Sequence, residues 1–444
     1  MGHETTDATD ASRTDPTEGR GVSIRSIAFG ACLSIAVNLL ANTVLYVPHG
    51  SFMAYSHVPM AGLILFLLSI LVCALLARWF GRCFAFSSTE WITIFGMGFI
   101  SALGPTYGVS GYIVSLIVAP HYFASPENRW SEYLHPYLPE WMVPSNDTGA
   151  MTWFYEGLPS GVSVPWSVWA GPLLWWFILA LAVAMACACV SILIHRQWSA
   201  NERLVYPAMI PVVEMTTGVG TGRRGLPEFM KGKAFWGGFA LTTFIFWWNM
   251  ISWFYPTFPT FPTAGGVWIR LPRAYPPLWF FVSTVVICFS YFASLEVLLS
   301  LWLSDVLFIL EGGFLNRIGF HVSTPYWGAG RFMWQTSGAF IALVLWGIWV
   351  ARHHLRDAID KALHPDRSPV DDSRELLSYR GALIGLALSC LYIVAWLWQL
   401  GAETKFIVLL VPSMLLVYTG LAKIVADSGF IYASLPASAG GFTA

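Results

Sequence analysis

Hydrophobic positions along this chain come in unbroken runs rather than in one-sided stripes. Segments 26–46, 57–80, 167–195, 234–256, 333–351, 381–400 and 405–424 each stay apolar for about the 20 residues that an α-helix needs to cross a bilayer core. A helix that is apolar all round suits lipid rather than a half-solvated surface. Two further stretches, 86–120 and 276–312, are longer than one span and shorter than two comfortable ones. The pattern predicts an all-α, polytopic integral membrane helical bundle. It has a polar tail at 1–25, a helical domain at 26–424 and a second tail at 425–444.

Charges between the runs orient the bundle, because basic loops stay cytoplasmic. Loops 196–233 and 352–380 each carry six Lys or Arg residues, whereas loop 121–166 carries only Arg129. With the N-terminus inside, 86–120 is expected to cross once, broken near Gly104-Pro105. Segment 276–312 is then expected to cross twice, as helices near 276–292 and 295–312. That makes ten crossings, with loop 121–166 outside. Within this outer loop, 126–134 reads as a short amphipathic helix. The aromatics after it fit an interfacial belt or a lid over an outward-facing cavity. The Pro-rich segment 257–277 reads as a stiff connector.

Composition narrows the class. The 24 Lys+Arg and 25 Asp+Glu make 11% of the 444 residues, against roughly 25% in an average soluble domain. With 56% hydrophobic residues, a large soluble globule, a disordered chain and a collagen are all excluded. A net charge of -1 offers no basic field for nucleic acid. The seven cysteines lie in or beside apolar runs, so neither structural disulfides nor a metal knuckle at Cys187-Ala188-Cys189 is expected. The Gly108-Val109-Ser110-Gly111 stretch matches a rhomboid-type GxSG, but none of the ten His falls mid-span to serve as its base. No catalytic group, metal or cofactor is therefore expected. The expected partners are the lipid bilayer and a small-molecule solute, with a homo-oligomer left open.

Candidate chemistry lies in polar residues inside apolar sequence, which are expensive there and often functional. Glu90 follows Ser87-Ser88-Thr89, as at a helix start. It is either a first-turn acid or a proton acceptor at the mouth of a broken helix. On 295–312, Glu296, Ser300, Ser304 and Glu311 fall within about 80° of one another at about 100° per residue, with Asp305 on the far side. Ser34, Asn38 and Asn42 form another stripe, facing protein or a cavity. Gly104, Pro105, Tyr107 and Ser110 belong to a Gly/Pro-rich break of the kind that lines a protein-enclosed or water-filled path. Glu90 and Asp305 sit in apolar sequence with no Lys or Arg in their helices. They are expected to have raised pKa values and to couple transport to protons. Glu90 comes first, Asp305 second, and Glu296 is a third candidate.

Three stretches carry a resemblance. They are Ser88-Thr89-Glu90-Trp91 through Met97, Ser125-Pro126-Glu127-Asn128-Arg129-Trp130, and Arg196 through Pro207 with Glu202-Arg203-Leu204-Val205-Tyr206-Pro207 at its end. They resemble an uncharacterised bacterial branch of the oligopeptide transporter superfamily. Two departures stand out: Ala208-Met209 replaces the Ser-Gly that follows Tyr-Pro, and there is no Asn-Pro-Gly motif. The resemblance implies a cation-coupled secondary transporter in a bacterial inner membrane. It also implies more spans, and so a chain that continues. The expected function is transport of a small polar organic solute, peptide-like or a metal chelate. The alternatives are a structural membrane subunit and a membrane enzyme with an aromatic outer-face loop. From residues 202–215 alone, a cytoplasmic amphipathic or re-entrant segment is expected, with the Glu202, Arg203, Tyr206 and Pro207 motif at its start.

Overall fold

The computed structural model describes residues 22–47, 53–80, 84–105, 109–219, 227–272, 275–320, 331–365, 368, 370–373 and 375–430. Seven of its helices are long and apolar enough to cross a membrane: 24–46, 60–77, 166–201, 295–317, 335–363, 379–399 and 404–428. The all-α expectation holds, with one two-stranded hairpin added. The chain forms two compact units.

The first unit comprises 1–108 and 209–263. It contains α1 (Ile24–Tyr46), α2 (Met60–Phe80), α3 (Ser88–Ser101), α8 (Ile210–Thr216) and α9 (Lys233–Phe254). Small residues let α1 and α3 approach closely, as in membrane helix pairs. Gly30 faces Met97, and Gly98 faces Leu33. Phe66, Trp91 and Phe95 form the buried aromatic centre. The segment expected to be amphipathic after Pro207 becomes α8, only seven residues long.

In the second unit (109–208 and 264–444), a wide π-type turn at Val109–Ile113 leads into α4 (Val114–Tyr122). The elements α5 (Trp130–Tyr133), α6 (Ala150–Glu156), α7 (Trp166–Arg196), α10 (Thr284–Ser290), α11 (Leu295–Arg317), α12 (Arg331–Leu363), α13 (Tyr379–Gln399) and α14 (Thr404–Ser428) follow. Helices α7, α12, α13 and α14 pack together. Cys189, Ile192 and Leu193 meet Ala358, Ala362 and Tyr379 at one end. At the other, Trp141 and Met142 of loop 121–166 meet Trp176 and Trp396.

These contacts test the charge reading directly. His195 pairs with Glu375 at 3.0 Å, and His354 bonds the Leu193 carbonyl at 3.0 Å. The segments that leave α7 and α12 therefore share one end of this unit, and Trp141 and Met142 pack at the opposite end.

Two expectations are corrected. A helix near 276–292 does not form. Instead β1 (Ala264–Ile269) pairs antiparallel with β2 (Leu278–Ser283). The seven-residue α10 that follows is too short to cross a bilayer. Aromatic and β-branched residues favour the hairpin, with Trp268 and Trp279 packed across it at 4.6 Å. Pro272, Pro276 and Pro277 fall between the two strands, where they interrupt any helix running through the turn. The ten-crossing count, which needed that helix, does not stand on these elements. In the outer loop, 126–134 yields only the four-residue α5. Arg129 at its start is left-handed (φ 52°).

Candidate functional site

Glu90 sits in the first turn of α3, which is set up locally. Ser87 is the N-cap and Glu90 the third helical residue, so each side chain bonds the other's backbone N–H. The Ser87 amide donates to Glu90 Oε2 at 2.8 Å, and the Glu90 amide donates to Ser87 Oγ at 3.3 Å. The start of α1 completes the shell. Ser23 Oγ donates to Glu90 Oε1, and Arg25 lies 3.5 Å from Oε2. Arg25 also bonds the Ala85 carbonyl and stands over the Phe86 ring at 4.5 Å. The Glu90 side chain is 3% exposed. An uncompensated carboxylate was expected here. Hydrogen bonds and a neighbouring cation instead favour the charged form, which corrects that expectation. The compensating residue came from 1–25, assigned to the tail. The helix begins at Ile24, capped by Ser23.

At the far end of the same helix pair the expected break is present. Helix α3 stops at Ser101, and residues 102–105 are turn and bend rather than helix. Asn38 Nδ2 donates to the Ser34 carbonyl at 2.9 Å and to the Ser101 carbonyl at 3.1 Å, which also accepts from the Gly104 amide at 3.0 Å. A Cβ on Gly104 would lie 2.7 Å from Asn38 Oδ1, so this position needs glycine for the close approach. Pro105 is buried and Asn42 is half-buried one turn along α1. Ser110 lies in the π-type turn, and Tyr107 lies outside the described residues.

The acids of α11 are not gathered into a site. Glu296 is exposed in the first turn. Ser300 and Ser304 are exposed and donate to carbonyls of their own helix, both at 2.7 Å. Asp305 is half-buried and makes no hydrogen bond or ion pair with another described residue. Gln335 reaches Glu311 at 3.5 Å.

The 196–207 segment holds what the sequence reading missed. A π-type turn at Gln197–Asn201 ends α7. Glu202 accepts from Gln197 at 3.1 Å and forms an ion pair with Lys423 of α14. Both side chains are about four-fifths buried, 20% and 19% exposed. Lys423 Nζ also lies 5.5 Å from the Trp198 ring, a favourable place for a cation. Arg203 (φ 53°) and Tyr206 (φ 51°) are both left-handed, where a side chain costs roughly 1–2 kcal/mol. Among the described residues only Arg129 shares this feature without being glycine. Pro207 then abuts Gly429, whose φ of 72° caps α14. A Cβ there would lie 2.6 Å from the Pro207 Cβ. The segment is thus strained in its middle and fastened to α14 at both ends.

Two cavities of about 50 and 30 Å³ flank Trp198, lined by α7, α12 and α14 and mainly apolar. Each has room for about one water. The single sequence signal for this site was Lys423 inside an apolar run, because such a cation needs a partner.

Residues 16–443 match a family described as "Family of unknown function (DUF6785)". No curated protein matches the chain. No solved structure matches it either.

Proposed function

The chain belongs to the DUF6785 family, and from the residues above we propose that it is a secondary membrane transporter of a small polar organic solute. One observation carries this reading. The Glu202–Lys423 pair fastens a strained segment to the end of α14. Charges in apolar helices and left-handed side chains both cost stability, and they persist where a conformational step uses them. A static lipid-embedded scaffold has no use for either. Because the flanking cavities hold only water-sized volumes, solute passage requires the segment to move, as alternating access demands. The break after Ser101 and the resemblance of Arg196–Pro207 to transporter sequences support the same reading. So does the basic charge of loops 196–233 and 352–380, which face the cytoplasm of a bacterium in this proposal, with the N-terminus on that side.

Cation coupling is part of the proposal, and Asp305 takes precedence over Glu90 as its carboxylate. Asp305 is half-buried at the middle of a candidate span and has no partner among the described residues, whereas Glu90 is compensated by Arg25. Reconstitution into liposomes tests the whole reading. Uptake of peptides or metal chelates from a panel, driven by a proton or sodium gradient, is expected in the natural protein. It should be lost in Lys423→Met. Uptake that is equal in protein-free vesicles would sink the proposal.

A structural-subunit reading has one observation in its favour. Helix α9 has no buried residue, a surface suited to a partner chain as well as to lipid. A defined hetero-complex that persists in detergent, together with no uptake, would favour it.

A further inference from the structure

The outer loop contains a cavity that the transport reading does not use. A cleft of about 420 Å³ opens between the end of α4, helix α6 and the first two turns of α7. This volume is in the range of small-molecule sites. Its walls include Trp153, Phe154, Val164, Trp166, Trp169 and Leu173, and every lining residue is apolar or glycine. The floor is rigid. Ile117, Val118, Ala150 and Met151 form a buried cluster with Trp169, and Trp153 lies across Gly149, which is left-handed at φ 75°.

Position and charge identify the occupant. The cleft sits at the N-terminal end of α7, a candidate span, and Trp166 at its rim is 66% exposed. Tryptophan at a span's end marks the membrane–water boundary. From Leu173 the wall runs on into Leu174, Phe177 and Leu181, the exposed apolar face that α7 offers to lipid. The loop above is acidic, with Glu127, Glu132, Glu140, Asp147 and Glu156 against Arg129. Such a field repels anionic headgroups and attracts an ammonium.

We propose that this cleft binds one acyl chain of a phospholipid with an amine headgroup, phosphatidylethanolamine, at the outer boundary of the bilayer. The site depends on the chain lying in a membrane and not on its transporting anything.

The test uses the full chain in phosphatidylcholine nanodiscs with a trace of phosphatidylethanolamine carrying a diazirine on one acyl chain. After irradiation, adducts are mapped by mass spectrometry. Adducts at Trp153, Trp169 and Leu173 should exceed those at Phe177 and Leu181 several-fold. Val164→Trp, which fills the cleft from a half-exposed wall position, should remove that excess and leave Phe177 and Leu181 labelled. A phosphatidylglycerol probe should label the cleft more weakly. Equal labelling along α7, an excess that survives Val164→Trp, or a crosslinked second copy of the chain at the cleft would each overturn the proposal. Equal labelling by the two headgroups would overturn its amine specificity. Loss of labelling at Phe177 and Leu181 as well would overturn the membrane setting itself.

Discussion

Glu90 and Glu202 are both acids beside apolar sequence, and both meet a basic residue. Their settings differ in what holds them. Glu90 is fixed by its own helix start, with Ser87 bonding in both directions and Arg25 added at 3.5 Å. The backbone there is unstrained, and Arg25 is 41% exposed, so the cation keeps contact with water. Glu202 has no helix to cap. It sits between a π-type turn and two left-handed residues, and its partner is 221 residues away in sequence. A capping box forms wherever its residues start a helix. The Glu202–Lys423 pair exists only while α7 and α14 keep their present arrangement. The first is held mainly by local capping, the second by a contact between elements far apart in sequence.

The largest expected effect is on the second pair. Lys423→Met strands the Glu202 carboxylate at four-fifths burial, which should cost about 3 kcal/mol and lower the thermal midpoint in detergent. Adding Glu202→Gln should recover most of that loss, because the stranded charge is gone. A double variant as unstable as the single one would show that Lys423 acts through packing on Trp198.

The first pair should respond less and with a different pattern. Glu90→Ala removes the reciprocal half of the capping box and the buried acceptor for Ser23 and Arg25, for about 2 kcal/mol. Glu90→Gln keeps the capping geometry, since Gln also serves at that position, and should cost less than about 1 kcal/mol. Circular dichroism melts of the two variants check this. Equal losses would mean that the charge, and not the cap, holds the helix start. Where uptake is measurable, Glu90→Gln should leave its pH dependence unchanged.

Strain separates the regions further. Arg203→Gly and Tyr206→Gly should each stabilise the chain by about 1 kcal/mol, the relief of a left-handed side chain less glycine's entropy. Such changes should also slow any step that draws on the strain. Destabilisation by both would show that these side chains are held by contacts worth more than their backbone cost.

The smallest effect sets the pH baseline. Burial holds His121 of the outer loop below its usual value of 6.5, with His135 adding to the effect and Asp147 and the Pro144 backbone opposing it. A histidine whose folded pKa is depressed binds fewer protons folded than unfolded. Its contribution is therefore complete above about pH 6.5 and is lost as pH falls toward the folded value. Hydrogen-exchange protection of 121–156, taken relative to the intrinsic rate at each pH, should fall over that window in the natural protein, and this loss should shrink in His121→Gln. Identical pH profiles would assign the sensitivity to another group.

Sequence alone determined the helical class and most of the apolar helices, because an all-round apolar run of about 20 residues has few alternatives. It also showed that α3 would start near Ser87 and break near Gly104, since capping and Gly/Pro effects act within a few residues. Loop charge suggested that loops 196–233 and 352–380 share a side, and within the second unit His195, His354 and Glu375 bring the starts of the two together. Only the tertiary structure decided what lies beside those features. Arg25 reaches Glu90 from 65 residues away, and Lys423 reaches Glu202 from 221. The 264–283 stretch becomes a hairpin rather than a helix because its two halves can pair. Periodicity and composition describe how a segment meets its surroundings in general. Which cation meets which carboxylate is set by helix packing, and no local pattern encodes that.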